Sequence, residues 1–546
     1  MASIELVLAM LLAVLVSGYL VRALPFSLPL PIVQIALGGA IAGVLHEGVA
    51  LQPDVFFLLF LPPLLFLDGW RIPKDGLRRD RAAILQLALG LVVFTVIGAG
   101  YLLYWLIPAM PLAVAFALAA VLSPTDPVAV TSIASRAPVP KRLMRVLEGE
   151  SLLNDASGLV CMQFAVAAAL TGVFSPGAAA MKFLWVALAG LAAGVLFTLA
   201  AAFAQQRVSR RFGEESGSPI LISLLIPFGA YLLAERLQAS GILAAVAAGI
   251  TMSYVELSGR IMASTRLQRT AVWNTIQFTL KGIMFVLLGE QLPGILLDTV
   301  ATMHESGLHP PWWLAVYAVS ATAGLALLRI AWVWVSLRVN LYRRQQLIAG
   351  ERSLGWRLIL ATSLAGVRGA VTLAGVLTLP LLMPDGQPFP ARSLAIFVAA
   401  AVIVLSLVAA SAGLPTLLKG LEVPQESTGK QEEDRARSAA ARAAIESVTR
   451  ALQEIQRQTD ASRADLCAEA ASRVIANYQR RVREGMPDDS SAGLLRDADA
   501  IERQLRLAGL QGERDEVLGL ARDRRISDET SRRLVREIDM VESLYR

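Results

Sequence analysis

Cysteine and histidine are nearly absent from this sequence, with two of the first and three of the second in 546 residues. Cys161 lies in an apolar stretch and Cys467 in a charged one, so no disulfide framework is implied. His46, His304 and His309 fall in expected loops with no metal-ligand spacing, which argues against a resident metal centre. No nucleophile–base set and no phosphate-binding loop stands out, and the glycine-rich stretches lie in apolar segments. An enzyme is therefore not expected, nor is a cofactor. Charge is scarce before Leu421. What fills the chain is apolar: 55% of it is hydrophobic and the mean hydropathy is +0.56, too apolar for a soluble protein of this length.

Apolar runs of about 18 residues or more recur along the chain, as membrane-spanning helices require. Thirteen spans are expected, over 4–21, 28–45, 53–69, 82–107, 111–135, 149–172, 182–204, 218–235, 240–256, 272–289, 312–337, 358–380 and 393–418. The first has no basic residue before it and no small-residue cleavage site after it, and reads as a retained span. Basic residues collect after odd-numbered spans, for example Arg71, Lys74, Arg78, Arg79 and Arg81 after span 3, and Arg260, Arg266 and Arg269 after span 9. Connections after even-numbered spans hold only Lys182, Arg236 and Arg392. Because basic residues stay cytoplasmic, the N-terminus is expected outside and the C-terminus inside a cytoplasmic membrane.

Composition changes near Leu421. About half of the chain's charged residues follow it, mixed with Ala and Leu at helical spacing, as in Ala439, Ala443, Ile445, Val448, Leu452 and Ile455. Breakers are few there: Gly485-Met486-Pro487 and residues 509–512. The expectation is a membrane domain over 1–420 and a small cytoplasmic helical domain over 421–546. The charges of the second nearly balance, so it is not a nucleic-acid-binding arm.

Two spans are interrupted. Span 5 contains AVLSPTDPVAV (residues 120–130), with two prolines and Asp126. Span 12, ILATSLAGVRGAVTLAGVLTLP, carries Arg368 between Gly366 and Gly369. In a soluble protein Asp126-Pro127 is an ordinary helix start. At mid-membrane, irregular backbone must line protein or water. The two spans lie seven apart, so they cross in opposite senses, and paired interrupted helices in inverted halves point to a secondary transporter with its site near the midplane. Glycines also serve close helix packing, but Arg368 needs a partner. Span 6 opens with EGESLLNDASGLV (residues 148–160). Ser151, Asn154, Asp155 and Gly158 share one helical face, and Glu150 lies to one side. Oxygen ligands of this kind suit a hard cation. Glu148 is read as a helix-entry charge. Asp155 sits inside an apolar helix, where ionisable residues are usually functional.

SPTDP in span 5, GESLLND in span 6 and GVRGAV in span 12, with LPPLLFLDGW in span 3, together resemble the monovalent cation:proton antiporters of the sodium/proton exchanger type, in their bacterial Asn-Asp branch. The resemblance covers spans 1–13 and leaves out the tail, which varies in such proteins. It implies an all-α integral membrane protein of about thirteen helices in two inverted repeats, broken at helices 5 and 12, and a homodimer in the lipid bilayer. It implies exchange of Na+, with K+ or Li+ as other candidates, for H+, serving pH and cation homeostasis. Asp155 becomes the essential carboxylate and Asn154 the mark of electroneutral exchange. Thr125 and Ser151 become cation-oxygen donors with Asp126 nearby, and Glu150 and Arg368 a buried ion pair. Two positions depart from the pattern. The family often sets its span 3 acid directly before a small residue and Gly. Here Leu67 holds that place and Asp68 adjoins Gly69, which leaves the role of Asp68 open. Lys281 in span 10 resembles the electrogenic branch, where such a lysine pairs with a core aspartate; the other reading is snorkelling toward the cytoplasmic end.

Two other classes compete. A pH-gated cation channel needs a continuous polar path, whereas the polar clusters are confined to spans 5, 6 and 12. An organic-ion symporter on the same inverted fold, taking an anion, favours basic residues in the core, against which Asp126 and Asp155 argue.

Overall fold

The computed structural model describes residues 2–23, 28–45, 53–71, 90–126, 141–171, 176–212, 217–257, 263–306, 310–344, 356–418, 427–458, 464–484, 491–523, 525 and 528–542. Residues 82–89 of span 4, 127–135 of span 5, the basic connection 72–81 and the Gly485-Met486-Pro487 break lie outside them. Among the described residues every element is an α-helix, apart from one isolated bridge between Leu382 and Pro388.

In chain order the helices are α1 (Ala2–Ala23), α2 (Leu30–Leu45), α3 (Pro53–Arg71), α4 (Leu91–Leu106), α5 (Leu112–Leu122), α6 (Lys141–Thr171), α7 (Pro176–Phe212), α8 (Ser218–Arg236) and α9 (Gly241–Leu257). They continue with α10 (Ala263–Ser306), α11 (Trp313–Arg344), α12 (Trp356–Leu364), α13 (Ala370–Leu377) and α14 (Arg392–Leu418). Six stretches of these are long and apolar enough to cross a membrane by length and composition. Their outer faces carry large apolar side chains open to the surroundings, such as Phe203 at 68% and Trp185 at 61% exposure. Such a surface belongs in lipid.

Hydropathy marks where lipid lies, and helices run past it. α10 has 44 residues where 272–289 was expected, because its first turns carry Arg266, Gln268, Arg269 and Asn274. At 1.5 Å per residue it is about 66 Å long, roughly twice a bilayer's hydrocarbon thickness. Arg269, read from sequence as a loop charge, is instead buried on this helix at 2% exposure. α6 begins at Lys141, so Glu148 lies two turns inside a helix and is not an entry charge.

The chain divides into two units, Met1–Val423 and Pro424–Arg546. In the first, two groups of helices form. One packs α2 along α10, α3 along α9, and α7 and α8 against α9; the other packs α4 on α5, α5 on α6, and α12 and α11 on α14. The groups meet where α3 and α10 touch α13 and where α10 touches α14. Close approach in the first group depends on missing side chains. A Cβ on Gly38 would strike the Val286 carbonyl, and one on Gly289 the Ile35 carbonyl. α3 and α9 repeat the arrangement, with Gly69 against Val246 and Gly249 against Phe66. Lipid gives apolar helices no hydrophobic reason to associate, so backbone proximity through small residues does the work.

The second unit holds α15 (Ser427–Gln458), α16 (Ala464–Glu484), α17 (Ser491–Arg522) and α18 (Asp528–Glu542). α15 packs on α16 around the small residues Ala441 and Ala471, and α17 on α18. Arg514 of α17 ties to Asp539 and Glu542 of α18.

Gly289→Val forces α2 and α10 apart. The expected loss is about 1–3 kcal/mol, the usual range for overpacking, measured as a lower melting midpoint of the detergent-purified protein.

Candidate ion-binding site

The site is built where two interrupted helices cross. α5 ends at Leu122, and Ser123 to Asp126 continue without helical structure. α12 ends at Leu364 and α13 starts at Ala370, leaving Ala365 to Gly369 between them. The two breaks are bonded to each other: the Asp126 N–H donates to the Val367 carbonyl at 2.7 Å. A Cβ on Gly369 would run into the Asp126 carboxylate, so this glycine makes room for the acid at the start of α13. That is where a helix favours negative charge. Arg368 does the converse. Its Nε donates to the Leu122 carbonyl at 3.0 Å, at the C-terminal end of α5, and its Nη1 to the Gly366 carbonyl at 2.8 Å. The Arg368 N–H donates to Ser406 Oγ of α14 at 3.2 Å.

Glu150 does not pair with Arg368. Its carboxylate takes a two-pronged bond from Arg329 of α11, Nη1 to Oε1 at 2.6 Å and Nη2 to Oε2 at 3.1 Å. Both side chains are buried, at 0% and 2% exposure. The planar fork of a guanidinium matches a carboxylate in this way, and Arg368 is already committed to carbonyls. Sequence reasoning missed Arg329. The signal was there: it is a lone arginine within the apolar span 312–337, where an ionisable residue implies a partner. Gly366 makes the pair possible, since a Cβ there would collide with the Arg329 guanidinium. It is more than a packing glycine.

The pair extends into a chain of bonds. Thr125 Oγ1, in the first break, donates to Glu150 Oε1 at 3.2 Å and accepts from Asn154 Nδ2 at 3.0 Å. An aspartate at 154 has no N–H to give Thr125, which accounts for the amide beside Asp155. Ser151, Asn154 and Asp155 are all buried on α6, at 8%, 1% and 5% exposure. Gly158, on the same face, lies against Pro124 and the Ala120 carbonyl, which seats α6 on the break. The oxygens Asn154 Oδ1 and Ser123 Oγ are buried and have no hydrogen-bond partner among the described residues; acceptors of this kind suit a hard cation. Asp68 on α3 and Lys281 on α10 lie within electrostatic range of Asp126, and Lys281 within range of Asp155 as well. Lys281 thus shares the field of the site's acids.

Residues 10–420 match the family described as sodium/hydrogen exchanger, transmembrane. The chain belongs to that family. It is a multi-pass membrane protein, and known exchangers resemble it over nearly all of its length. The uncharacterized Na(+)/H(+) exchanger YjcE of Escherichia coli K12 is 41% identical over 545 residues, covering 98% of each chain. A sodium, potassium, lithium and rubidium/H(+) antiporter of Bacillus subtilis is 38% identical, over 99% of this chain and 78% of its own. These two alignments run through the tail, which the sequence resemblance had left out. Among solved structures, the sodium proton antiporter MjNhaP1 of Methanocaldococcus jannaschii shares the fold, with a TM-score of 0.57 at 18% identity, covering 78% of this chain and 100% of its own.

Glu150→Gln or Arg329→Met alone leaves a buried charge without its counter-charge, and each is expected to lower stability by about 3–5 kcal/mol. The double variant should regain most of that in thermal melting. Arg368→Met, which breaks hydrogen bonds to carbonyls that Glu150 does not share, should regain far less from Glu150→Gln.

Proposed function

We propose that this exchanger swaps a monovalent cation for protons across a bacterial cytoplasmic membrane, with Asp155 as the carboxylate that holds one or the other. The observation that carries the reading is Asp155 buried on α6 beside Asn154, whose amide is tied through Thr125 to the break that carries Asp126. One carboxylate in a partly dry cavity accommodates a proton or a cation but not both. Burial favours the protonated form and the bound cation favours ionisation. Thr125, Ser151 and Asp126 complete the oxygen shell. Glu150 with Arg329, and Arg368 with its carbonyls, hold the shell in place and take no part in the exchange.

Sodium is the cation we assign, with potassium and lithium as further substrates; the cations for which the Bacillus relative is named support this range. The alternation of basic loops supports thirteen spans in two inverted repeats, with the N-terminus outside and the C-terminus in the cytoplasm. Alternating access then moves the α4–α6 and α11–α14 group against the other, which also supplies the surface for a homodimer. Residues 421–546 act as a cytoplasmic regulatory domain. Asn154 and Lys281 pull the stoichiometry in opposite directions, and transport with and without a membrane potential separates electroneutral from electrogenic exchange.

In proteoliposomes, Asp155→Asn is expected to abolish cation-driven proton movement while the protein still elutes as a folded species. Retained exchange would remove Asp155 from the mechanism. A second expectation concerns pH. Because protons compete with the cation, raising the pH lowers the cation concentration needed for half-maximal rate. The limit is about tenfold per pH unit for one-for-one exchange, read from rates at a series of sodium concentrations.

A further inference from the structure

A second polar cluster lies away from the helix breaks, where α3, α9 and α10 meet. Glu256, next to the end of α9, accepts the Trp70 indole N–H at 2.7 Å through Oε2 and pairs with Arg269 through Oε1. The Arg269 guanidinium lies over the Trp70 ring, 5.2 Å from its centroid. One turn further along α10, Trp273 stacks on Phe66 at 5.2 Å and meets Trp70 edge-on at 6.4 Å. Arg71 reaches across to Asn274 and, at 2.6 Å, to Gln277 of α10. Gly69 and Gly249 let the backbones of α3 and α9 touch on the same stretch.

Residues 66–71 of α3 are therefore gripped by both α9 and α10, and Asp68 lies in the middle of the gripped segment. The aromatic part of the grip, Phe66 and Trp70, is on the other side of the helix from the acid, while Arg71 stands about 60° from it. At about 100° per residue, Asp68 stands roughly 160° from Trp70, and it lies within electrostatic range of Asp126 and Lys281. Holding helices together does not require a buried Arg–Glu pair, because apolar side chains of similar size do so as well or better. What the directional indole–carboxylate bond, backed by the Arg269 charge, adds is a fixed rotation of α3 about its own axis.

We propose that the Trp70–Glu256–Arg269 cluster is a positioning device for the transported cation. It fixes the rotation of α3 and so the place of Asp68 opposite the group that carries Asp126 and Asp155, and thereby sets the cation concentration at which exchange half-saturates. Trp70, Glu256 and Arg269 act through Asp68 and touch no ion themselves. The inference rests on the antiport reading above.

The test uses the full chain in proteoliposomes, with sodium-driven proton movement measured over a range of sodium concentrations. Trp70→Phe keeps the ring and removes the donor; Glu256→Gln keeps the shape and removes the charge. Each is expected to raise the half-saturating sodium concentration by about threefold to tenfold, the usual reach of a residue coupled through a packed network, with the maximal rate little changed. In an Asp68→Asn background the same substitutions should add nothing. Three results overturn the proposal: a lower maximal rate with unchanged half-saturation, no change at all, or a full additional shift in the Asp68→Asn background. Wild-type protein that shows no sodium-coupled proton movement overturns the antiport reading itself, and the inference with it. An active wild type with unshifted variants overturns the inference alone.

Discussion

A helix broken inside a bilayer leaves amide and carbonyl groups that no water can take, and the arrangement of the site follows from satisfying them. The Asp126 N–H answers the Val367 carbonyl across the two breaks. Arg368 answers the carbonyls of Leu122 and Gly366. Asp126 sits at the start of α13 and Arg368 at the end of α5, so each half-helix meets the charge that its dipole favours. The crossing satisfies its own backbone groups, and its position fixes where α6 can lie, through Gly158 against Pro124.

A site that exchanges a proton for a cation needs one carboxylate whose charge turns over and other charges that do not. The geometry separates these. Glu150 is permanently answered by the fork of Arg329, and the same carboxylate anchors Thr125. Thr125 anchors the Asn154 amide. A run of bonds thus leads from α11 through α6 to the first break and stops one residue short of Asp155. On this account the network orients the shell, while Asp155 carries the exchange. Gly366 and Gly369 serve the same end, one admitting the Arg329 guanidinium and the other the Asp126 carboxylate.

Much of this was legible in the sequence because lipid imposes strong rules. Breakers and carboxylates at mid-span identified the breaks and α6, since polar groups are tolerated there only for a reason. The partner of Glu150 was not legible. Arg368 was the conspicuous arginine, set between glycines, whereas Arg329 lay in an otherwise ordinary apolar span, and pairing is decided by which helices touch. Arg269 was misread for the opposite reason: it follows a loop in sequence, yet α10 begins early enough to bury it against Trp70. Helix ends beyond the lipid were invisible to hydropathy, as the extra turns of α6 and α10 show. The tail's helical spacing was visible, but its presence in relatives was not, because composition says nothing about kinship.

The central claim is that cation and proton compete for one carboxylate. Calorimetric titration of sodium into the purified protein, repeated in buffers of different ionisation enthalpy at one pH, counts the protons released per cation bound. The account predicts a binding heat that changes with buffer in proportion to a proton release approaching one per sodium, and no such release from Asp155→Asn. Sodium binding whose heat is the same in every buffer would contradict it.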